Sequence, residues 1–123
     1  MKKIINSMEA PSAIGPYSQA VEAGNMVFVS GQLPVLENGK MPGNISEQTA
    51  ASLNNILHIL EAAGLGAENI VKTTVLLKDM NDFSAMNEVY AEFFEGDYPA
   101  RACFEVARLP KDALVEIECI AIR

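Results

Sequence analysis

Four residues near the C-terminus have the types and spacing that could support chemistry on a small anion. Arg101 and Cys103 alternate along one stretch of the chain, and Glu116 and Glu118 alternate along the next. The planar guanidinium of arginine suits two-point contact with a carboxylate, and a nearby glutamate can orient a water and transfer a proton. The same residues could instead form a salt bridge between subunits, with Cys103 as a small core residue. Their spacing alone leaves both interpretations open.

Three further places carry groups that could line a ligand cleft. Ser30 and Gly31 end a hydrophobic segment, and Gly31 would let a ligand or a loop approach the backbone closely. Tyr17 follows Gly15-Pro16, which would project its phenol from a rigid loop. Asn87 lies on the apolar face of a predicted helix, where an unpaired carboxamide costs about 1–3 kcal/mol. The structural alternatives are a strand end, a packing tyrosine and an asparagine bonded to backbone.

The composition indicates a folded chain that carries excess negative charge. Of its 123 residues, 50% are hydrophobic and 20% are charged, and 9 basic against 16 acidic residues give a formal net charge of −7. No run of three Lys or Arg occurs, so the basic stripe that nucleic acid requires is missing. This charge disfavours nucleic acid and anionic membranes as partners. An anionic substrate would need a local positive group to outweigh the overall field.

Several other classes of protein are disfavoured by what the sequence lacks. The apolar runs are too short to span a bilayer, and the first residues lack the apolar segment of a secretory signal. Cys103 and Cys119 are too few for a disulfide framework. His58 is the only histidine and there is no Cys-x-x-Cys motif, which leaves a zinc site without ligands. We therefore expect a cytoplasmic protein of one domain, residues 1–123, without metal or cofactor.

Hydrophobic periodicity predicts two helices and about six strands, in the order β-β-β-α-β-α-β-β. The first helix should begin at Asn44, whose capping partner Glu47 follows three residues later, and should end at Gly64. Alternation in 100–107 and in 113–122 predicts a terminal hairpin. The other predicted elements are strands at 3–5, 17–22, 26–31 and 70–77, and a second helix that ends near Phe94.

This element order favours an α+β fold, a mixed sheet with both helices on one face. Two helices can cover only one face of a six-stranded sheet. The uncovered face would still carry apolar residues such as Ile120 and Ile122. We therefore expect a second subunit to cover it, which favours a symmetric oligomer.

The C-terminal segment also carries a family resemblance. Residues 99–118, PARACFEVARLPKDALVEIE, resemble the C-terminal signature of the RidA/YjgF family. Five further blocks match that family in order and at its spacing, namely AIGPYSQ at 13–19, VSGQ at 29–32, EAAGL at 61–65, VKTTV at 71–75 and NDF at 81–83. The resemblance covers nearly the whole chain, which makes it far more specific than any single motif.

The resemblance implies a chorismate-mutase-like fold and a homotrimer with clefts between subunits. It also implies a hydrolase that converts reactive enamines and imines, such as 2-iminobutanoate and 2-iminopropanoate, to 2-oxo acids and ammonia without a cofactor. By this resemblance Arg101 would hold the substrate carboxylate and Glu116 would orient or activate the attacking water. Cys103 would line the pocket and contribute backbone contacts, without being required as a nucleophile. The cleft would be completed by Tyr17, Ser30, Gly31 and Asn87.

Two positions depart from the family pattern, and two other functions remain open. Ala102 stands where many members have Ser or Thr, and the connection at 95–98 is short, which could reshape the mouth of the cleft. The same cleft could hold a metabolite without turnover, in a trimer that regulates a partner protein. Ribonuclease activity has been attributed to some relatives, but the charge of −7 disfavours it here.

Overall fold

A mixed six-stranded sheet organises the chain, and the computed structural model describes all of its residues, 1–123. The strands are β1 (Lys3–Ile5), β2 (Ala20–Ala23), β3 (Met26–Gln32), β4 (Ile70–Leu77), β5 (Ala100–Glu105) and β6 (Val115–Ile122), and the helices are α1 (Ile45–Ala62) and α2 (Phe83–Phe94). Their order in the sheet is β1-β2-β3-β6-β4-β5. The α+β class, six strands and two helices are confirmed. Neither helix has both the length and the apolar character needed to cross a membrane.

The predicted terminal hairpin is wrong. β5 and β6 are not neighbours, because β4 lies between them, parallel to β5 and antiparallel to β6. Helix α2 returns the chain along the sheet, so β5 enters parallel to β4 as the second strand of a β-α-β crossover. The chain then passes the end of β4 and inserts β6 between β3 and β4. Alternation of polar and apolar residues is the same in both arrangements and cannot distinguish them.

The predicted strand at 17–22 is also shorter in the structure, which has β2 only over Ala20–Ala23. The residues before it are held by side-chain bonds rather than by a strand ladder. Gln19 is buried, accepts from Ser7 N at 2.7 Å and donates to Pro11 O at 2.8 Å. These bonds keep the segment that contains Tyr17 as a loop over the sheet.

Helix α1 begins where the sequence predicts, because Asn44 Oδ1 accepts a hydrogen bond from Glu47 N at 2.8 Å. Its stripe of Leu53, Ile56 and Leu60 is fully buried against the sheet. Helix α2 reaches the same sheet face through Tyr90. Both helices therefore cover one face, as expected from their number.

Strand pairing then decides which face each polar residue occupies. Arg101 pairs with Thr73, whose side chain is fully buried on the helix-covered face. Glu116 pairs with Leu76, three residues further along the same strand β4. Because side chains alternate between faces along a strand, Arg101 and Glu116 lie on opposite faces of the sheet within one chain.

The face without helices carries exposed aromatic residues. Phe28 on β3 is 42% exposed, although the adjacent Val27 and Val29 are buried, and Phe104 on β5 is 55% exposed. Aromatic groups left open on a sheet face are typical of a surface that another protein covers.

One buried hydroxyl provides a test of the core. Replacing Ser52 with Ala should raise the free energy of unfolding by about 1 kcal/mol, because an unpaired buried polar group costs about 1–3 kcal/mol. The Ser52 hydroxyl is fully buried in α1 and has no hydrogen-bond partner. Urea unfolding of both proteins at one fixed concentration measures the difference.

The matched control is Thr49→Val in the same helix. The Thr49 hydroxyl is equally buried but donates to Ile45 O at 2.8 Å, so its removal should lower stability. An unchanged or lower stability of Ser52→Ala would contradict the assignment of its hydroxyl as unpaired.

Candidate active site

Arg101 is held in place by three side chains of α2. Its Nη1 donates to Asn87 Oδ1 at 2.8 Å. Its guanidinium carbon lies 4.8 Å from the ring centroid of Tyr90 and 5.5 Å from that of Phe83, both within the range of cation–π attraction. The helix presents all three groups on one face because they are spaced i, i+4 and i+7. The sequence leaves open whether Asn87 bonds to the backbone or lines a cleft. In the structure its side chain accepts a hydrogen bond from Arg101 and lines a cavity.

Tyr90 is itself anchored to the sheet. Its hydroxyl and the Thr73 hydroxyl are 2.6 Å apart and buried. Thr73 pairs with Arg101 in the ladder between β4 and β5. Burial raises the pKa of Tyr90 above its usual value, so the phenol stays protonated and can share in this bond. The ring beneath Arg101 therefore has a fixed position relative to the strand that carries Arg101.

A cavity of about 350 Å³ opens beside the guanidinium, lined by Asn87, Tyr90, Ala91, Tyr98, Pro99 and Arg101. Its two walls are α2 and the segment just before β5. Between them Glu95, Gly96 and Asp97 all adopt positive φ angles of 55°, 106° and 45°, which ends the helix abruptly. The short connection noted in the sequence thus brings Tyr98 back to face α2. The volume is within the range of small-molecule sites.

Arg101 forms no ion pair within the chain. The other two arginines do pair with carboxylates, Arg108 with Asp112 and Arg123 with Glu22. The partners of the Arg101 guanidinium are a neutral amide and two aromatic rings. Its positive charge is therefore left for an anion from outside the chain.

Cys103 follows on the same face of β5, opposite Val75. The thiol is half-buried, and this burial raises its pKa above the ordinary value, although nearby Arg101 offsets part of the rise. A cysteine with a raised pKa is protonated at neutral pH and is a poor nucleophile. Cys103 packs against the hydrophobic core and is not among the residues that line the cavity beside Arg101, so its predicted place in the pocket stays a prediction.

Glu116 belongs to a second cavity, also of about 350 Å³, on the other face of the sheet. This cavity is lined by Ile14, Tyr17, Ser30, Gly31, Leu33, Pro110 and Glu116. A register irregularity of β3 between Val29 and Gln32 places Ser30 and Gly31 beside Glu116. The Ser30 hydroxyl donates to Ser18 O at 2.6 Å, which holds the loop containing Tyr17 against the strand.

The carboxyl group of Glu116 lies directly against the backbone at Gly31. A Cβ atom added at Gly31 would overlap the Glu116 side chain, with its carboxyl carbon only 2.8 Å away. The close approach at Gly31 is made by a side chain of the same protein, and approach of a ligand or a loop to Gly31 stays a prediction.

Burial raises the pKa of Glu116, and the neighbouring charge of Glu118 raises it further. A carboxyl group whose pKa is moved toward neutrality is suited to exchanging protons with a substrate or a water. Glu118 itself is exposed on the same face of β6. Arg101 and Glu116 thus have complementary chemistry but occupy different cavities.

The predicted site residues fall into two groups in one chain. Asn87, Arg101 and Cys103 lie on the helix-covered face, and Tyr17, Ser30, Gly31 and Glu116 lie on the other face. Sequence reasoning missed Tyr90 as a partner of Arg101 because its apolar spacing assigned it to the core. It also missed Tyr98, whose position depends on the tight end of α2.

A third group of potential ligands lies outside both cavities. One carboxylate oxygen of Glu9, one of Glu61 and a ring nitrogen of His58 lie within 4.8 Å of one another. His58 Nδ1 is 3.2 Å from Glu9 O. The sequence interpretation that leaves a zinc site at His58 without ligands does not anticipate these two carboxylates, which are exposed.

The chain is thus a small α+β domain with one cavity beside an arginine and a second cavity beside a glutamate. The family model described as Endoribonuclease L-PSP matches residues 7–123. The chain belongs to this family, also called RidA/YjgF, which confirms the resemblance seen in the sequence.

Named relatives match over the full length. A 2-iminobutanoate/2-iminopropanoate deaminase of Escherichia coli K12 is 51% identical over 127 residues, which cover 100% of this chain and 99% of the relative. A RutC family protein of Pyrococcus horikoshii is 54% identical over 125 residues, with coverage of 100% and 99%. The crystal structure of E. coli TdcF with bound serine superposes with a TM-score of 0.95 at 50% identity, covering 98% of each chain. The family therefore includes proteins named as imine deaminases.

The packing of Gly31 against Glu116 can be tested without an activity assay. Gly31→Ala should push the Glu116 carboxyl group away from β3 and toward solvent, which lowers its pKa toward the ordinary value of 4.5. Titration of the Glu116 side-chain carbon by NMR measures this change. Gly43→Ala is the control, because nothing lies within 4 Å of its added Cβ. A Glu116 pKa that is the same in the Gly31→Ala variant and the parent would refute the proposed contact.

Proposed function

We propose that this protein hydrolyses reactive 2-imino acids, such as 2-iminobutanoate and 2-iminopropanoate, to 2-oxo acids and ammonia. The observation that carries the proposal is Arg101, whose charge has no acidic partner in the chain and which borders an open cavity. The full-length similarity to a named deaminase supports the same substrate class. A 2-imino acid carries the carboxylate that such an arginine would bind.

The reaction needs little more than positioning. Arg101 would hold the carboxylate by two-point contact, and the protonated imine carbon is already electrophilic. Glu116 would take a proton from a water as the water oxygen bonds to that carbon, which gives a carbinolamine. The protonated Glu116 would then return this proton to the nitrogen. As the C–N bond breaks and ammonia leaves, the Glu116 carboxylate would accept the hydroxyl proton, so that the carbonyl forms. The raised pKa of Glu116 suits these transfers.

Arg101 and Glu116 can act on one substrate only if two subunits meet. They lie on opposite faces of the sheet in one chain, each beside its own cavity. The exposed aromatic groups Phe28 and Phe104 on the uncovered face favour burial by another copy. We infer a homotrimer, as the family resemblance implies, in which the Glu116 cavity of one subunit meets the Arg101 cavity of the next.

A second candidate function is metabolite binding without turnover, in a trimer that regulates a partner. It is favoured by the solved relative TdcF, whose bound molecule is serine, an amino acid without an imine. An assay of imine hydrolysis, combined with a measurement of 2-oxobutanoate binding, separates the two candidates. Tight binding of 2-oxobutanoate with no acceleration of imine hydrolysis would support the binding role.

Arg101→Ala should lower kcat/KM for imine hydrolysis by about 100-fold, because a charge-assisted contact contributes about 1.5–3 kcal/mol. In the assay, a threonine dehydratase generates 2-iminobutanoate, and release of 2-oxobutanoate above the spontaneous rate is followed. Arg108→Ala, which removes an exposed arginine paired with Asp112, is the control and should retain full activity. No acceleration by the parent protein, or full activity of Arg101→Ala, would exclude the proposed reaction.

Mixed trimers test whether the site spans two subunits. Arg101→Ala and Glu116→Gln homotrimers should each be nearly inactive. Co-expression of both chains should restore about a quarter of the parent activity, since a random mixture pairs an intact Arg101 with an intact Glu116 of the next subunit at one site in four. Activity of the mixture no higher than that of either variant would argue that the site is not shared.

A further inference from the structure

The side chains that hold Arg101 share a property beyond their geometry: none of them carries charge. Asn87 provides an amide oxygen at 2.8 Å, and the rings of Tyr90 and Phe83 lie 4.8 Å and 5.5 Å from the guanidinium carbon. In a chain of net charge −7 with 16 acidic residues, a carboxylate would be the commonest partner for a half-buried arginine. The other two arginines of the chain do pair with carboxylates, Arg108 with Asp112 and Arg123 with Glu22.

We propose that Phe83 and Tyr90 are positioning residues that, with Asn87, form a neutral cradle for Arg101. The cradle fixes the direction of the guanidinium without neutralising it, so that its charge is kept for the substrate carboxylate. Fixing the side chain before binding removes the loss of rotamer freedom that a mobile arginine would suffer on binding. This inference depends on the proposed function for its kinetic test but not for its spectroscopic one.

The two rings differ in how far they also support the fold. Tyr90 is buried and bonded to Thr73, so its loss would damage the core as well as the cradle. Phe83, at the first position of α2, is 37% exposed, whereas Tyr90 is only 4% exposed. A substitution at Phe83 therefore tests the contact with Arg101 with less effect on stability than one at Tyr90. Phe93, on the same helix, is packed against Phe94 and is not stacked on Arg101, which makes it a matched control.

The kinetic test compares KM with kcat in the imine assay. Phe83→Leu should raise KM by about 3- to 10-fold, the strength of one cation–π contact, with kcat within about twofold of the parent. Phe93→Leu should leave both constants unchanged. Tyr90→Leu should raise KM further, because it removes both the ring beneath Arg101 and the bond to Thr73.

A substitution at Asn87 tests whether the cradle must be uncharged. Asn87→Asp places a carboxylate 2.8 Å from the guanidinium in the parent geometry, where it would compete with the substrate. Its KM should exceed that of Asn87→Ala by about 10-fold, because Ala removes one bond but leaves the charge of Arg101 free. If Asn87→Asp binds substrate as well as Asn87→Ala does, neutrality of the cradle has no role and the proposal is overturned.

The spectroscopic test does not need turnover. The chain has three arginines, and the Nε of Arg108 and of Arg123 donates to a carboxylate. The Nε proton of Arg101 lies near two rings instead and should resonate upfield of the other two. Phe83→Leu should move it downfield, and Phe93→Leu should not. An Arg101 signal unchanged in Phe83→Leu overturns the cradle, whereas a parent protein that shows this signal but no turnover refutes only the proposed reaction.

Discussion

The position of β4 between β5 and β6 determines most of what this molecule can do. β4 pairs in parallel with β5 and antiparallel with β6, so it carries the register for both strands that bear site residues. Thr73 on β4 aligns with Arg101 on one face, and Leu76 aligns with Glu116 on the other. Arg101 and Glu116, whose side chains are the most suited to take part in a reaction, are thereby separated by the sheet. Any reaction that uses both must involve a surface from a second chain.

The electrostatics of the two cavities complement each other. One contains an arginine whose neighbours are neutral, and the other contains a glutamate whose burial favours the protonated form. A protein of net charge −7 repels anions at long range, so a free local cation is what makes binding of a carboxylate possible. The same overall charge fits poorly with the name of the family model, Endoribonuclease L-PSP, since RNA binding relies on basic surface. Full-length similarity to a named imine deaminase is in better agreement with these cavities.

The hydroxyl pair of Tyr90 and Thr73 links the fold to the site. It is buried, joins α2 to β4 and fixes the ring on which Arg101 rests. The tight end of α2 through Glu95, Gly96 and Asp97 then brings Tyr98 to the opposite wall of the cavity. The length of this connection therefore determines the shape of the cavity mouth beside Arg101.

The sequence by itself determined the local structure and the identity of the reactive groups. The Asn44 cap, the buried stripe of α1 and the inward face of β6 all follow from short-range rules, and they agree with the structure. The family signature selected Arg101 and Glu116. The partner of each strand and each side chain was decided by the tertiary structure, because alternation reports which face a residue takes but carries no information on which strand lies beside it. The predicted hairpin is wrong for that reason. The spacing of Tyr90 predicts a core residue but not its contact with Arg101, because Arg101 lies on a strand that begins ten residues further along the chain.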